Sequence, residues 1–263
     1  MRVLITNDDG IDAPGLEVMH EIALALTGSA EQVWTVAPAS EQSGVGHCIS
    51  FTQPMMVSQH AERRFAVHGT PADCVLAAVH EIMADNLPDL VLAGVNRGNN
   101  SAENAAYSGT VGAAMEGALQ GIRSIALSQY YGPRNCDLSD TFESSRQHGL
   151  HTVQALLEHG TWGGDEYGVF YNVNFPPVPG EEVLGMRACA QGYRKDGCFG
   201  VSATTSPSGR KFLWIQGSAQ QTATRAGTDT YLNLEGYISV TPMRADLTAH
   251  DVLAPLKAIE NHA

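Results

Sequence analysis

Positive charge is scarce in this chain. Its 263 residues carry 15 lysines and arginines against 28 aspartates and glutamates, a formal net charge of -13. Such a balance argues against non-specific attraction to nucleic acid or to an anionic membrane. If the protein handles an anionic substrate, a local feature must reverse the field, and a bound divalent cation is the plainest candidate. Long apolar runs are missing as well, and none reaches the length that spans a bilayer. The residues after Met1 read as a strand, with no basic stretch, apolar h-region or small-residue cleavage site, so the expected location is cytoplasmic. The five cysteines, Cys48, Cys74, Cys136, Cys189 and Cys198, are widely spaced and include no CxxC pair. That excludes a disulfide framework and a zinc site of familiar spacing, and leaves reduced thiols serving as small buried hydrophobes. No GxxxxGK is present, so phosphate is not gripped by a P-loop.

What the chain does have is a regular alternation of strands and helices. Residues 2–6, 32–38, 89–95, 122–128 and 167–176 are short apolar runs that read as buried strands. Pro14 opens a helix whose Leu16, Met19, Ile22 and Leu26 share one face, with Gly28 as its stop. Further helices are expected over 71–85, 109–121 and 140–159, and extended pieces over 48–57 and 64–69. Strands separated by helices predict a parallel sheet covered on both faces, an α/β doubly wound fold. Past Pro176 the helical period disappears. Residues 180–235 read as β-hairpins projecting from the core, 236–242 as a strand returning to the body, and 247–260 as a terminal helix. The expected organisation is therefore a Rossmann-like core over 1–179 and a hairpin arm with a helix over 180–263.

Ligands of such sheets bind at the carboxyl ends of the strands. Three loops there carry candidate chemistry. Asp8 and Asp9 stand side by side after the first strand. One carboxylate is explained as a helix cap or as half of an Asp-Gly turn. Two raise each other's pKa unless a cation offsets them, and Mg²⁺ or Mn²⁺ takes oxygen ligands from such pairs. The adjacency departs from the Asp-x-Asp of haloacid-dehalogenase-type phosphatases. It suits receiver domains, which however need an Asp after the third strand, where this chain has Asn96. The stretch GVNRGNN (94–100) supplies amide groups for a cation or a phosphate and glycines that let the backbone approach a ligand. Ser108, Gly109 and Thr110 open a helix, where free N–H groups favour an anion, although Ser108 or Thr110 is equally a plain cap. Ser43 and Gly44 lie in a small, polar loop over 39–47. His47 and His68 have no partner at a diagnostic spacing, and Tyr193, Phe199, Trp214 and Tyr231 are aromatics suited to stacking or to packing.

Taken together, these segments resemble the SurE (survival protein E) nucleotidases. The shared stretches are NDDGIDAPG (7–15), SG (43–44), GTPADC (69–74), GVNRGNN (94–100), YSGTVGAAMEG (107–117), NVNFP (172–176), GYISVTP (236–242) and DLT (246–248), in the family's order and across nearly the whole chain. The resemblance implies a metal-dependent phosphomonoesterase that hydrolyses nucleoside 5′- and 3′-monophosphates, with short polyphosphate a further substrate to test. It implies one divalent ion, Mg²⁺ or Mn²⁺, per subunit, held by Asp8, Asp9, Ser43 and Asn96. Asn7, Gly44, Asn96 and the turn Ser108–Gly109–Thr110 would contact phosphate, with Asp8, Asp9 and Asn96 at the reacting centre. It also implies a homodimer or homotetramer that exchanges C-terminal elements. Where the family often places basic residues before the Ser-Gly, this chain reads ASEQSG, with Glu41. Attack by water and an aspartyl-phosphate on Asp8 are both compatible with the sequence. So is the alternative of a metal-binding, receiver-like module without turnover.

Overall fold

The computed structural model describes residues 1–262 except Asp165, Asp196, Cys198 and Ala223, and describes Asn261 and His262 without their side chains. The chain begins with strand β1 (Val3–Thr6) and helix α1 (Pro14–Thr27). Strands β2 (Val33–Pro38), β3 (Val57–Ala61) and β4 (Arg64–Val67) follow, then α2 (Pro71–Ala77). Next come β5 (Leu90–Arg97), α3 (Gly109–Leu119), β6 (Arg123–Gln129), α4 (Glu143–His159) and β7 (Phe170–Phe175). The rest holds β8 (Met186–Ala188), β9 (Gly200–Thr205), β10 (Lys211–Gln216), α5 (Asp229–Leu234), β11 (Ile238–Met243) and α6 (His250–Leu256).

Among the described residues, nine strands form one sheet in the order β3-β4-β2-β1-β5-β6-β7-β11-β8. The six strands from β4 to β7 in this order run parallel, while β3 and β11 pair antiparallel to their neighbours β4 and β7. The two-residue period of the strands decides which side chain joins which layer. Val3, Ile5, Leu90 and Leu92 face a core shared with α1 and α4, whereas Leu4, Val91 and Ala93 face a second core with α2 and α3. Both faces are thus covered, as the unbroken apolar runs in β1 and β5 require. Helix α1 ends where expected: Gly28 takes φ 71° and its N–H donates to Leu24 O at 2.9 Å. Helix α2 starts on a reciprocal cap between Thr70 and Asp73. No helix among the described residues is long and apolar enough to cross a membrane.

Four expectations need correction. The segment 180–235 is not free of helix, since α5 forms at its end and is fixed by the buried Asp229. The described part of it holds one separate hairpin, β9–β10, rather than several. Residues 48–56 are irregular, and the strand expected there starts only at Val57. Of the cysteines, Cys74 is buried and Cys189 half-buried, but Cys48 and Cys136 are exposed, and Cys198 lies outside the described residues.

Candidate active site

The strand order reverses at β1. The chain leaves it for β2 on one side and returns to β5 on the other. Such a switch point opens a crevice at the carboxyl ends of the strands. Asp8 and Asp9 leave β1 at that crevice. Strand β5 runs two residues further than its apolar run suggests, because its register with β6 shifts between Ala93 and Asn96. Asn96 and Arg97 therefore end the strand rather than begin the loop. Gly94 permits this course: with φ 125°, a Cβ there would lie 2.1 Å from Leu127 O.

Three contacts draw the elements around the acid pair. Gln42 N–H, from the loop after β2, donates to Asp8 O at 2.7 Å. Arg97 N–H donates to Asp9 Oδ2 at 3.1 Å. Thr110 Oγ1, in the first turn of α3, donates to Asp8 Oδ1 at 2.5 Å. The N-terminus of α3 lies so close that a Cβ on Gly109 would meet Asp8 Cβ at 2.9 Å. The free N–H groups and dipole of that turn thus stand beside the carboxylates.

Neither acid caps α1. Its cap position is Ala13, with no side-chain hydrogen bond, and Pro14 fills the first turn. Burial instead puts the pair under electrostatic pressure. Asp8 is 4% exposed, and its pKa is pushed up to about 6, chiefly by burial, with the charge of Asp9 adding and the Thr110 hydroxyl opposing. Asp9 is raised too, by burial first, while the Arg97 N–H opposes and the charge of Glu41 adds. Two neighbouring carboxylates that both resist ionisation are what a cation relieves. Asn7 contributes a further buried oxygen: its Nδ2 donates to Gly10 O at 2.8 Å, and its Oδ1 has no partner among the described residues. Among the described residues, no group of three His, Cys, Asp or Glu side chains is placed to hold a metal ion. A hard cation here would complete its shell from amides, hydroxyls and water, as Mg²⁺ and Mn²⁺ do.

The other expected residues divide. Asn96 is buried at the crevice, and its Nδ2 donates to Gly98 O at 2.9 Å. Ser43 lines a cavity of about 550 Å³ with Asp9, Glu41, Arg97 and Phe142, but its hydroxyl donates to Glu41 Oε1 at 2.8 Å. Gly44 sits beside it in a turn with φ 78°. Ser108 is the plain cap, its Oγ accepting from Val111 N–H at 3.0 Å. His47 does have a partner: Nε2 lies 2.7 Å from Glu116 Oε2 on α3, which ties the loop after β2 to the helix. Gly46 N–H donates to Tyr107 O at 2.9 Å and strengthens that tie.

Other contributors lie in the stretches GVNRGNN and NVNFP, but their partners are far away in the chain. Asn100 N–H donates to Asn174 Oδ1 at 2.7 Å, its Nδ2 to Ser128 Oγ at 2.8 Å, and Asn172 Nδ2 donates to Asn100 O at 2.8 Å. The buried Asn172 and Asn174 amides on β7 and the Ser128 hydroxyl on β6 hold the loop after β5 from behind. Arg97 sits inside GVNRGNN and so was within reach of sequence reasoning; among the described residues it is the one cation lining the 550 Å³ cavity.

The profile of the family described as Survival protein SurE matches residues 3–197. A 5′-nucleotidase SurE of Roseobacter denitrificans is 64% identical over 259 residues, 98% of this chain and 99% of the relative. One of Ruegeria pomeroyi is 60% identical over 260 residues, again 98% of this chain and 99% of the relative. The crystal structure of the SurE protein from Aquifex aeolicus aligns at a TM-score of 0.79 and 36% identity, covering 99% of this chain and 100% of that one. The chain belongs to the SurE family.

Proposed function

We propose that this chain is a nucleotidase that hydrolyses nucleoside 5′-monophosphates to nucleoside and inorganic phosphate, using Mg²⁺ or Mn²⁺ held by Asp8 and Asp9. The observation that carries the reading is the acid pair itself: two adjacent carboxylates at the sheet's switch point, both raised above their ordinary pKa, against the open N-terminus of α3. The relatives named 5′-nucleotidase support the choice of substrate. Asn96 Oδ1 and Ser43 Oγ are the proposed remaining protein ligands, which requires Ser43 to leave Glu41. When bound, the cation supplies positive charge to phosphate oxygens and acidifies a water.

The chain's own residues do the rest. Thr110 fixes one oxygen of Asp8 and so fixes the direction of the other. The N–H groups of Gly109 and Thr110 and the α3 dipole face the substrate phosphate, with Asn7, Gly44 and the Asn96 amide as further contacts. Arg97 supplies the basic help that Glu41 denies to the loop after β2. Direct attack by water and transfer to Asp8 make opposite predictions for a thiophosphate ester made chiral with oxygen isotopes: one in-line displacement by water inverts the phosphorus, whereas two displacements through an aspartyl-phosphate retain its configuration.

The hairpin β9–β10 supports a homodimer or homotetramer built through the C-terminal arm, because Phe212, Leu213, Trp214 and Ile215 are 50–72% exposed on it. A nucleotide substrate fits work in the cytoplasm. The deciding assay is phosphate release from 5′- and 3′-monophosphates and short polyphosphate, with Mn²⁺, Mg²⁺ or chelator. Metal-dependent release from 5′-monophosphates is the expected result. A folded protein that binds metal and releases nothing would instead be the non-catalytic module.

A further inference from the structure

We propose that Arg194, in the segment between β8 and β9, is a positioning residue that sets the Asn96 loop against the acid pair. The inference rests on the nucleotidase reading and adds to it a residue about a hundred positions from the loop it serves.

The Arg194 side chain is completely buried. Nη1 donates to Glu103 Oε1 at 2.8 Å and to Ser101 O at 3.2 Å. Nη2 donates to Asn99 Oδ1 at 3.0 Å and to Ser101 Oγ at 3.2 Å. Its backbone N–H donates to Glu103 Oε2 at 3.2 Å. One planar fork therefore collects acceptors from three alternate residues, 99, 101 and 103. A lysine has a single donor point and cannot span them.

The same loop is gripped by other parts of the arm. Asp229 accepts from Ala102 N–H at 2.9 Å and from Gly192 N–H at 2.8 Å. Gln191 Nε2 donates to Ala102 O at 2.7 Å, and Asn104 Nδ2 donates to Gln220 Oε1 at 2.7 Å. The packing is close: a Cβ on Gly197 would lie 2.2 Å from Glu103 Oε1, and one on Gly192 2.8 Å from Asp229 Oδ1.

What the fork holds at one end, the site uses at the other. Gly98 N–H donates to Gln129 O at 3.0 Å, Gly98 O accepts from Asn96 Nδ2, and Arg97 N–H reaches Asp9. These contacts, at residues 96–98, lie one to five positions from the Asn99 and Ser101 acceptors. A buried ion pair is a poor device for stability alone, because packed apolar residues of similar volume serve as well or better. A segment without regular structure gains from it a fixed course.

The test uses the full chain and three variants, Arg194→Met, Arg194→Lys and Glu103→Gln. The readouts are Mn²⁺ affinity from the electron paramagnetic resonance signal of free Mn²⁺, kcat and KM for adenosine 5′-monophosphate, and thermal midpoint. Outer-shell partners of a metal site typically change affinity or activity by about 10- to 100-fold. Arg194→Met is expected to lose about tenfold or more in Mn²⁺ affinity and in kcat, with Arg194→Lys recovering part and Glu103→Gln falling between. Should Arg194→Met fail to fold, the other two variants carry the same criteria. Variants with a lowered midpoint but Mn²⁺ affinity and kcat within about twofold of the unaltered protein would overturn the inference, since packing would then be the whole role of Arg194. An unaltered protein that neither binds Mn²⁺ nor releases phosphate would overturn the nucleotidase reading itself, a separate result.

Discussion

The substitution Gly109→Ala tests how closely the first turn of α3 is fitted to the acid pair. Gly109 has ordinary helical backbone angles, so an alanine adds a methyl group and no backbone strain. That methyl carbon would lie 2.9 Å from Asp8 Cβ, 3.0 Å from Pro71 Cγ and 3.2 Å from Asp8 Oδ2. Carbon atoms rest about 3.5–4.0 Å apart, so either the helix start or Asp8 must retreat by roughly 0.6–1 Å. Retreat is opposed on both sides, because Thr110 holds Asp8 Oδ1 and Gln42 N–H holds its backbone oxygen. Overpacking of this kind costs about 1–3 kcal/mol, against which the better helix propensity of alanine returns less than about 1 kcal/mol. The thermal midpoint is expected to fall by a few degrees. Activity should suffer more, since a misplacement of about 1 Å at a reacting centre costs up to about 10²-fold. The expected result is a 10- to 100-fold loss in kcat/KM for a nucleoside 5′-monophosphate at saturating Mn²⁺. Gly200→Ala is the control, because a Cβ there meets nothing within 4 Å. A Gly109→Ala protein within twofold of the unaltered enzyme would show that the close approach of α3 is not tuned to Asp8.

Asp8→Asn and Asp9→Asn are each expected to remove most metal-dependent phosphate release while keeping the circular dichroism spectrum; near-normal turnover in either would sink the assignment. Arg97→Ala should raise KM for the nucleotide several-fold with a smaller change in kcat, because it removes a cation lining the cavity beside Asp9; an unchanged KM would exclude it from substrate binding. For pH, Glu116 is informative. Burial alone would raise its pKa, but hydrogen bonds from His47 and Gln120 and the charges of His47 and His80 together hold it below the ordinary 4.5. A depressed carboxylate stabilises the fold fully above the unfolded value and loses that contribution as pH falls through the folded one. The midpoint gap between the unaltered protein and Glu116→Gln should therefore shrink as pH falls below about 4.5; a gap that widens over that range would contradict the assignment.

Much of the architecture was legible because it depends on short-range pattern. The apolar runs of β1 and β5, the proline starts of α1 and α2 and the Gly28 stop are local features that tertiary contacts only reinforce. The acid pair was legible because two adjacent carboxylates after a buried strand are electrostatically costly and need a reason. What escaped is long-range. No local signal marks α5, whose position follows from Asp229 bonding Ala102 across 127 residues. Nor does any local signal connect Arg194 with Asn99. The extension of β5 through Arg97 depends on a register shift against β6, and strand register is invisible without the partner strand.

The scarcity of positive charge and the acid pair become parts of one problem at the crevice. On the proposed reading, an enzyme for an anionic substrate with Asp8, Asp9 and Glu41 around its site must import or concentrate positive charge there. The fold offers what side-chain composition lacks: the backbone N–H groups at the start of α3, the Asn7 and Asn96 amides, and the guanidinium of Arg97. Most of these are dipoles rather than full charges. They attract little at a distance but act strongly once water is excluded. Their value then depends on placement, because a dipole moved by an ångström loses more than a mobile ion does. This accounts for the amount of buried polar structure behind the loop after β5, from Asn100, Asn172 and Asn174 to Arg194 and Asp229. On the proposed reading, a site that works by fixed amides and a borrowed cation needs a rigid frame, and here that frame is drawn from the middle and the C-terminal third of the chain.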